Sequence, residues 1–308
     1  MIDPTNTAVL MIVFNRPEQT RQVFARVREA KPKRLYIAAD GPRANRPDDQ
    51  VSCAETRAIF DEIDWPCEVK RLFRDQNLGC KTAIKTCLDW YFEQEEEGIV
   101  LEDDCVPEPT FFQYCAEMLD KYRHDDRIAT IAGTNYLLES QQFDSSYYFT
   151  KYLFVWGWAS WRRVWKDYDF EMKSWPKFRD EGRLHRVFPH PRSLRYWTHI
   201  FNLTHNGTLN AYDYQFFYSA MVNNRLSIAP AKNQISNIGW GIGSTNTANR
   251  NPEMGMATFP MEFPLKHPTF VVPDEKADEF TEHLIFAKPL HRKVRNRLRR
   301  IIAKVGGN

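Results

Sequence analysis

Within this 308-residue chain, residues 98–109 constrain the fold most: Gly-Ile-Val-Leu-Glu-Asp-Asp-Cys-Val-Pro-Glu-Pro. The apolar start is short and β-branched and follows a helical pattern, so it reads as a buried strand. It stops in Glu102, Asp103 and Asp104, after which Pro107 and Pro109 end regular pairing. Three adjacent carboxylates repel one another and serve no core. A divalent cation relieves that repulsion. Hard oxygen ligands with few protein contacts suit Mg²⁺ or Mn²⁺ carried on a substrate phosphate. Taken alone, the same residues also describe a solvated acidic turn.

Upstream, residues 8–14 form a continuous apolar run, expected as a buried parallel strand. Asn15-Arg16-Pro17 follows; Pro17 suits a first helical turn, and Val23, Val27 and Ala30 mark one helical face. A second strand is expected at 34–39, ending in Asp40-Gly41-Pro42-Arg43. A helix over 54–63, a strand over 67–73, the turn 74–79 and a helix over 82–92 come next. This alternation predicts an α/β fold with a mostly parallel central sheet flanked by helices. In such sheets ligands bind beyond the carboxyl ends of the strands. Four loops then share one rim: 15–16, 40–43, 77–81 and 102–104. Cations for phosphate, acids for ribose or metal, and a glycine for close approach together describe a nucleotide site with a metal. Neither G-x-G-x-x-G nor G-x-x-x-x-G-K-[ST] occurs, which weakens the dinucleotide and P-loop readings.

Beyond a helix over 111–122, a strand over 127–132 and a loop over 133–136, residues 139–148 are polar and expected to be irregular. Residues 152–161 are dense in aromatics, with Gly157 between Trp156 and Trp158. They form either core or a sugar-stacking wall approached through the glycine. Residues 165–205 read as amphipathic helix in pieces, broken at Pro176, Pro189 and Pro191. The next helix runs to about 223 with Asp213 near its start, where an acid caps or complements the dipole. A strand at 226–229 leads to 230–239, and 240–260 is expected as a mobile loop that closes over a site. From Lys288 to Lys304 the tail carries Arg292, Lys293, Arg295, Arg297, Arg299 and Arg300, with apolar residues at helical spacing on the other face. Such a basic amphipathic helix is expected to meet an anionic membrane surface, the alternative being a helix docked on the domain.

The net charge of +2 and the lack of a recognition motif argue against nucleic acid as a partner. Six cysteines, all within the first 115 residues and without C-x-x-C spacing, are expected as buried free thiols. The first residues are not a signal peptide, and no apolar run reaches the roughly 18 residues of a membrane span. A cytoplasmic protein, peripheral at the inner face of the plasma membrane through its tail, is the expectation.

The order of these motifs resembles a GT-A glycosyltransferase: apolar strand, Asp40-Gly41, Asn77-x-Gly79, then Glu102-Asp103-Asp104 in place of Asp-x-Asp. It is similar to the N-acetylglucosaminyltransferase I type, which carries an acidic strand end followed by proline and two phenylalanines, as in 102–112. The likeness continues through Trp156-Gly157-Trp158-Ala159-Ser160-Trp161, Asp213 and Ile235-Ser236-Asn237-Ile238-Gly239, covering 8–239 and not the tail. It implies a catalytic domain over 1–239, with a nucleotide-binding half of about 1–132 and an acceptor or sugar half of about 133–239. A helical segment with the basic tail would fill 261–308.

Residue by residue, the resemblance implies that Phe14, Asn15 and Arg16 cradle the base and ribose. Asp40 would read the base, and Lys81 would lie near base or diphosphate. Glu102 would face the donor sugar, Asp103 the ribose and Asp104 the metal, Mn²⁺ or Mg²⁺. Trp156, Gly157 and Trp158 would shape the sugar pocket. Asp213 would be the general base, although Ala211-Tyr212 departs from the family's acid-containing turn there and leaves Asp167, Asp169 and Glu171 as rivals. The implied reaction moves a sugar from a nucleotide-diphosphate donor, UDP-sugar favoured, to a glycan or glycolipid hydroxyl with inversion. A bacterial enzyme of surface polysaccharide or lipopolysaccharide synthesis fits that description. A sugar nucleotidyltransferase shares the fold but wants a glycine-rich loop after the first strand, and 14–17 has no glycine. A non-catalytic protein keeping the fold is the third reading.

Overall fold

The computed structural model describes residues 2–137, 141–239 and 256–287. The basic tail lies wholly, and the expected loop 240–260 mostly, outside the described residues. The chain begins with β1 (Val9–Val13), α1 (Pro17–Ala30), β2 (Arg34–Ala39), α2 (Asp48–Ala58), β3 (Glu68–Phe73), α3 (Cys80–Gln94) and β4 (Glu97–Glu102). Next come β5 (Cys105–Pro107), α4 (Phe111–Lys121), β6 (Ile128–Ala132), β7 (Tyr147–Thr150) and β8 (Trp158–Trp161). Four helices follow: α5 (Arg162–Trp165), α6 (Trp175–Asp180), α7 (Leu184–Val187) and α8 (Pro191–His205). The described chain closes with α9 (Asp213–Val222), β9 (Leu226–Pro230), β10 (Ile235–Asn237) and α10 (Glu275–Thr281).

Among the described residues, eight strands form one sheet in the order β3-β2-β1-β4-β8-β6-β9-β7. Pairing is parallel from β3 through β4 and between β6 and β9; β8 and β7 run antiparallel to their neighbours. The sheet is thus mostly parallel and flanked by helices, as its alternating pattern predicts. Its central strands are buried on both faces: Val9, Leu10, Met11, Leu35, Ile37, Ile99 and Val100 are each at most 1% exposed. That explains their continuous rather than alternating apolar character. Helix α1 buries Thr20, Val23, Phe24 and Val27, the spacing of a single helical face, and stops at Lys31 in the left-handed conformation.

The second half differs more from expectation. Residues 139–148 are polar enough to suggest an irregular segment, yet Tyr147 and Tyr148 begin β7, whose four residues are all buried against β9. Polar neighbours conceal a short aromatic strand. Trp158 and Trp161 belong to β8, inserted between β4 and β6, so this aromatic run is half core strand. Residues 165–205 do fall into separate helices, and Pro176 and Pro191 lie in the first turns of α6 and α8, where proline's missing N–H costs nothing. Helical structure after 261 begins only at Glu275, followed by a π-helical turn over Glu282–Phe286. All six cysteines are unpaired, and Cys53, Cys87, Cys105 and Cys115 are buried. No helix of the described residues is long and apolar enough to cross a membrane.

Candidate active site

From β1 the chain winds outward to β2 and β3, then returns to lay β4 on the opposite side of β1. The carboxyl ends of β1 and β4 therefore flank a topological switch point, where the two connections diverge and leave a crevice. The loop after β1 meets the acids after β4 there. The Phe14 backbone N–H donates to Asp103 Oδ2 at 3.2 Å, and Arg16 Nη1 reaches Asp103 Oδ1 at 3.4 Å and Asp104 Oδ2 at 2.7 Å. A cavity of about 340 Å³ opens from this point along the strand ends towards β3, lined among others by Phe14, Arg16, Asp40, Glu102, Asp103 and Asp104.

Three carboxylates share one guanidinium, and their electrostatics show the imbalance. Burial, then Asp104 and Asp103, pushes Glu102 up to about 8; burial and Asp104 push Asp103 up to about 7. Burial works against the Arg16 charge, but Asp103 and Asp104 outweigh it and hold the guanidinium above its ordinary value. The Tyr212 hydroxyl donates to Glu102 Oε1 at 3.1 Å, tying the start of α9 to the end of β4. From the other side, β10 pairs antiparallel with β5 and brings Asn237 and Gly239 against Asp104. A Cβ at Gly239 would stand 1.7 Å from Asp104 Oδ2, so only glycine admits this carboxylate.

This donor set bears directly on the implied metal. Among the described residues, no three His, Cys, Asp or Glu side chains are grouped to hold an ion. The protein supplies excess negative charge but no cage. These residues do not fit an ion held by protein alone, and a cation here would have to bring oxygen ligands of its own.

Asp213 is the first residue of α9. Its charge helps push up Glu102 and also the Cys80 thiol, which lines the cavity. Burial raises the Asp213 carboxyl itself. The three rival acids face elsewhere. Asp167 pairs with Arg225 at 2.6 Å, Asp169 lies 3.5 Å from the Ser174 N–H, and Glu171 pairs with Lys173 at 3.2 Å. None of them is among the residues that line the cavity, and neither is Asp213.

Other expected residues are engaged by partners within the protein. Both Asp40 oxygens accept from the loop after β3: the Leu78 and Gly79 N–H groups and Asn77 Nδ2, all within 3.0–3.2 Å. Asp40 thus shapes the cavity wall by fixing that loop. Asn15 Nδ2 turns to Asp49 at 2.8 Å. Lys81 Nζ sits 4.5 Å from the centre of the Phe170 ring and does not line the cavity. Trp156 does line it, whereas Trp158 is fully buried against Phe216 and is core. Gly157 has φ +58°, and a Cβ there would meet Ile235 at 2.4 Å, so its opening admits a protein side chain.

The sequence gives no individual role to Arg74, Asn210 or Asn237, which also line the cavity, as does Arg43 of the expected rim. Arg43 and Arg74 stand at the ends of β2 and β3, on the rim the α/β pattern defines. Asn210 and Asn237 come from distant loops, and no local pattern marks them.

No family profile and no curated protein matches this chain. Solved structures similar to it include UDP-glucose pyrophosphorylase complexed with UDP-glucose, at 10% identity and a TM-score of 0.39, covering 75% of this chain and 91% of the other. HddC from Yersinia pseudotuberculosis matches at 11% identity and 0.33, covering 56% and 86%. The 4-diphosphocytidyl-2C-methyl-D-erythritol synthase from Anaerococcus prevotii matches at 10% and 0.34, covering 60% and 86%. Likenesses this distant leave the functional argument to the site itself.

Proposed function

We propose that the chain is a metal-dependent glycosyltransferase that moves a sugar from a nucleotide-diphosphate donor to an acceptor hydroxyl. One observation carries the reading: Arg16 clamps Asp103 and Asp104 at the switch point, beside Glu102, on a cavity that all four residues line. Asp104 would hold Mn²⁺ or Mg²⁺ together with the donor diphosphate. When bound, the ion acts as a Lewis acid on the leaving nucleoside diphosphate. Phe14 would line the ribose side of the donor, Arg16 would meet its diphosphate beside Asp104, Glu102 would face its sugar, and Trp156 would wall that pocket. Asp213 would take the acceptor's proton, a contribution of about 10²–10⁴-fold. Its raised carboxyl affinity for protons suits a base. Attack by that hydroxyl opposite the leaving group inverts the anomeric centre.

The runner-up is nucleotidyl transfer, the activity class that the name UDP-glucose pyrophosphorylase denotes. Glycyl backbone around a phosphate would favour it, and the loop from Phe14 to Pro17 offers a guanidinium instead. The test is a panel of UDP-, GDP-, CMP- and TDP-sugars with Mn²⁺, scored for released nucleotide. A parallel arm gives nucleoside triphosphates with sugar 1-phosphates and is scored for pyrophosphate. Nucleotide release abolished in Asp104→Ala supports glycosyl transfer. Pyrophosphate release with no nucleotide release refutes it in favour of the runner-up, and silence in both arms refutes catalysis.

A further inference from the structure

Three guanidinium groups line the cavity, and two are spoken for. Arg16 is held by Asp103 and Asp104, and Arg43 by Asp49. Arg74, half-buried at the end of β3, donates from Nη2 to the Thr86 hydroxyl at 2.7 Å and has no carboxylate partner among the described residues. That hydroxyl is itself oriented, because it donates back to the Thr82 carbonyl at 2.8 Å. The backbone at Arg74 is fixed too: Arg57 Nη2 bonds both the Arg74 and Asp40 carbonyls, lacing the ends of β3 and β2 together. The result is a positioned cation with spare donors, facing the cavity.

Its place in the sheet decides what it meets. Strand ends lie in the order β3, β2, β1, β4, so Arg74 stands three strand spacings, about 14 Å, from the acids after β4. This step rests on the proposed function, in which diphosphate and sugar occupy the β4 end. The far end then receives the nucleobase. A guanidinium carries five N–H donors and no acceptor. It matches the carbonyl oxygen that uracil or guanine presents and opposes the amino group that cytosine or adenine presents at the corresponding position.

We infer that Arg74 is a specificity-determining residue that reads the 4-oxo group of uracil or the 6-oxo group of guanine, and so selects uridine or guanosine nucleotides over cytidine and adenosine ones. The experiment titrates UDP, GDP, CDP, ADP and inorganic pyrophosphate, each with Mn²⁺, into the full chain and into Arg74→Met. A hydrogen bond from a charged donor is expected to give the wild type at least about tenfold preference for UDP or GDP over CDP and ADP. Arg74→Met should bring that preference to within about threefold while pyrophosphate affinity stays within about twofold. Arg74→Lys, which keeps charge but not the fork, and Thr86→Val, which frees the guanidinium, give intermediate ratios and guard against a misfolded methionine variant. Equal weakening of all five ligands would make Arg74 a phosphate contact and overturn the inference, as would unchanged ratios. If the wild type discriminates among no nucleotides yet binds them, only the base reading fails; if it binds none, the proposed function fails with it.

Discussion

Glu102→Gln separates the charge of the acid triad from its shape. Burial and the neighbouring Asp104 and Asp103 lift this carboxyl from 4.5 to about 8. A lifted carboxyl holds its proton more tightly in the fold than in the unfolded chain. The stability it contributes is therefore complete below its unfolded value and is lost as pH rises towards 8. Each tenfold gain in proton affinity corresponds to about 1.4 kcal/mol, which makes the whole lift worth about 5 kcal/mol as an upper bound. Glu102 is only half-buried, and Asp103 takes up part of the relief. The realised gain for Glu102→Gln is therefore expected at about 1–3 kcal/mol near pH 9, shrinking to nothing near pH 4. Glutamine keeps an oxygen for the Tyr212 hydroxyl, so the tie between β4 and α9 survives. Urea unfolding in the presence of a chelator, across that pH range, reads the difference directly, provided both proteins show the same slope. A variant that is less stable than wild type near pH 9, or equally displaced at both ends, would refute the electrostatic account of the triad.

Three further outcomes follow from the same geometry. Asp213→Asn should lower kcat by about 10²–10⁴-fold with little change in donor KM, measured by steady-state nucleotide release. Gly239→Ala would put a methyl group 1.7 Å from Asp104 Oδ2. Displacing that carboxylate by about an ångström should weaken metal-dependent nucleotide binding about 10²-fold, read by titration with and without Mn²⁺. Asp40→Ala leaves the Leu78 and Gly79 amides without their acceptor, so it should cost about 2–3 kcal/mol in urea unfolding and weaken nucleotide binding together.

The parallel half of the sheet was legible because its signals are local. A strand buried on both faces must be apolar throughout, and 8–14, 35–39 and 98–101 each show this. Rim acids are equally legible, since three carboxylates after an apolar run have no packing explanation. What stayed hidden depends on contacts between distant segments. β7 carries three aromatics in a polar neighbourhood, and only its pairing with β9 makes it a strand. Trp158 and Trp156 are two residues apart, with Gly157 at positive φ between them, and one enters the core while the other faces the cavity. Asp40 resembles a ligand-reading acid in sequence, yet its lone pairs are filled by a loop almost forty residues away, which no local pattern records.

The parallel pairing of β1 with β4 explains why the site needs Arg16 at all. Neighbouring strands lie about 4.8 Å apart, so acids that end β4 stand directly beside whatever follows β1. A loop there must supply donors or be driven away. A glycine-rich turn would offer backbone N–H groups; this chain has asparagine, arginine and proline, and uses one backbone N–H, from Phe14, and one guanidinium. Backbone donors are fixed, whereas a guanidinium on a flexible stem can change partners. The same arginine that now neutralises Asp103 and Asp104 is the cation an incoming diphosphate would meet, and any positive ion arriving with that diphosphate competes for the carboxylates it leaves. On the proposed reading, the carboxylates would exchange one positive partner for another when the donor binds. The adjacency follows from strand order alone, because it exists only where the winding of the sheet reverses between β1 and β4.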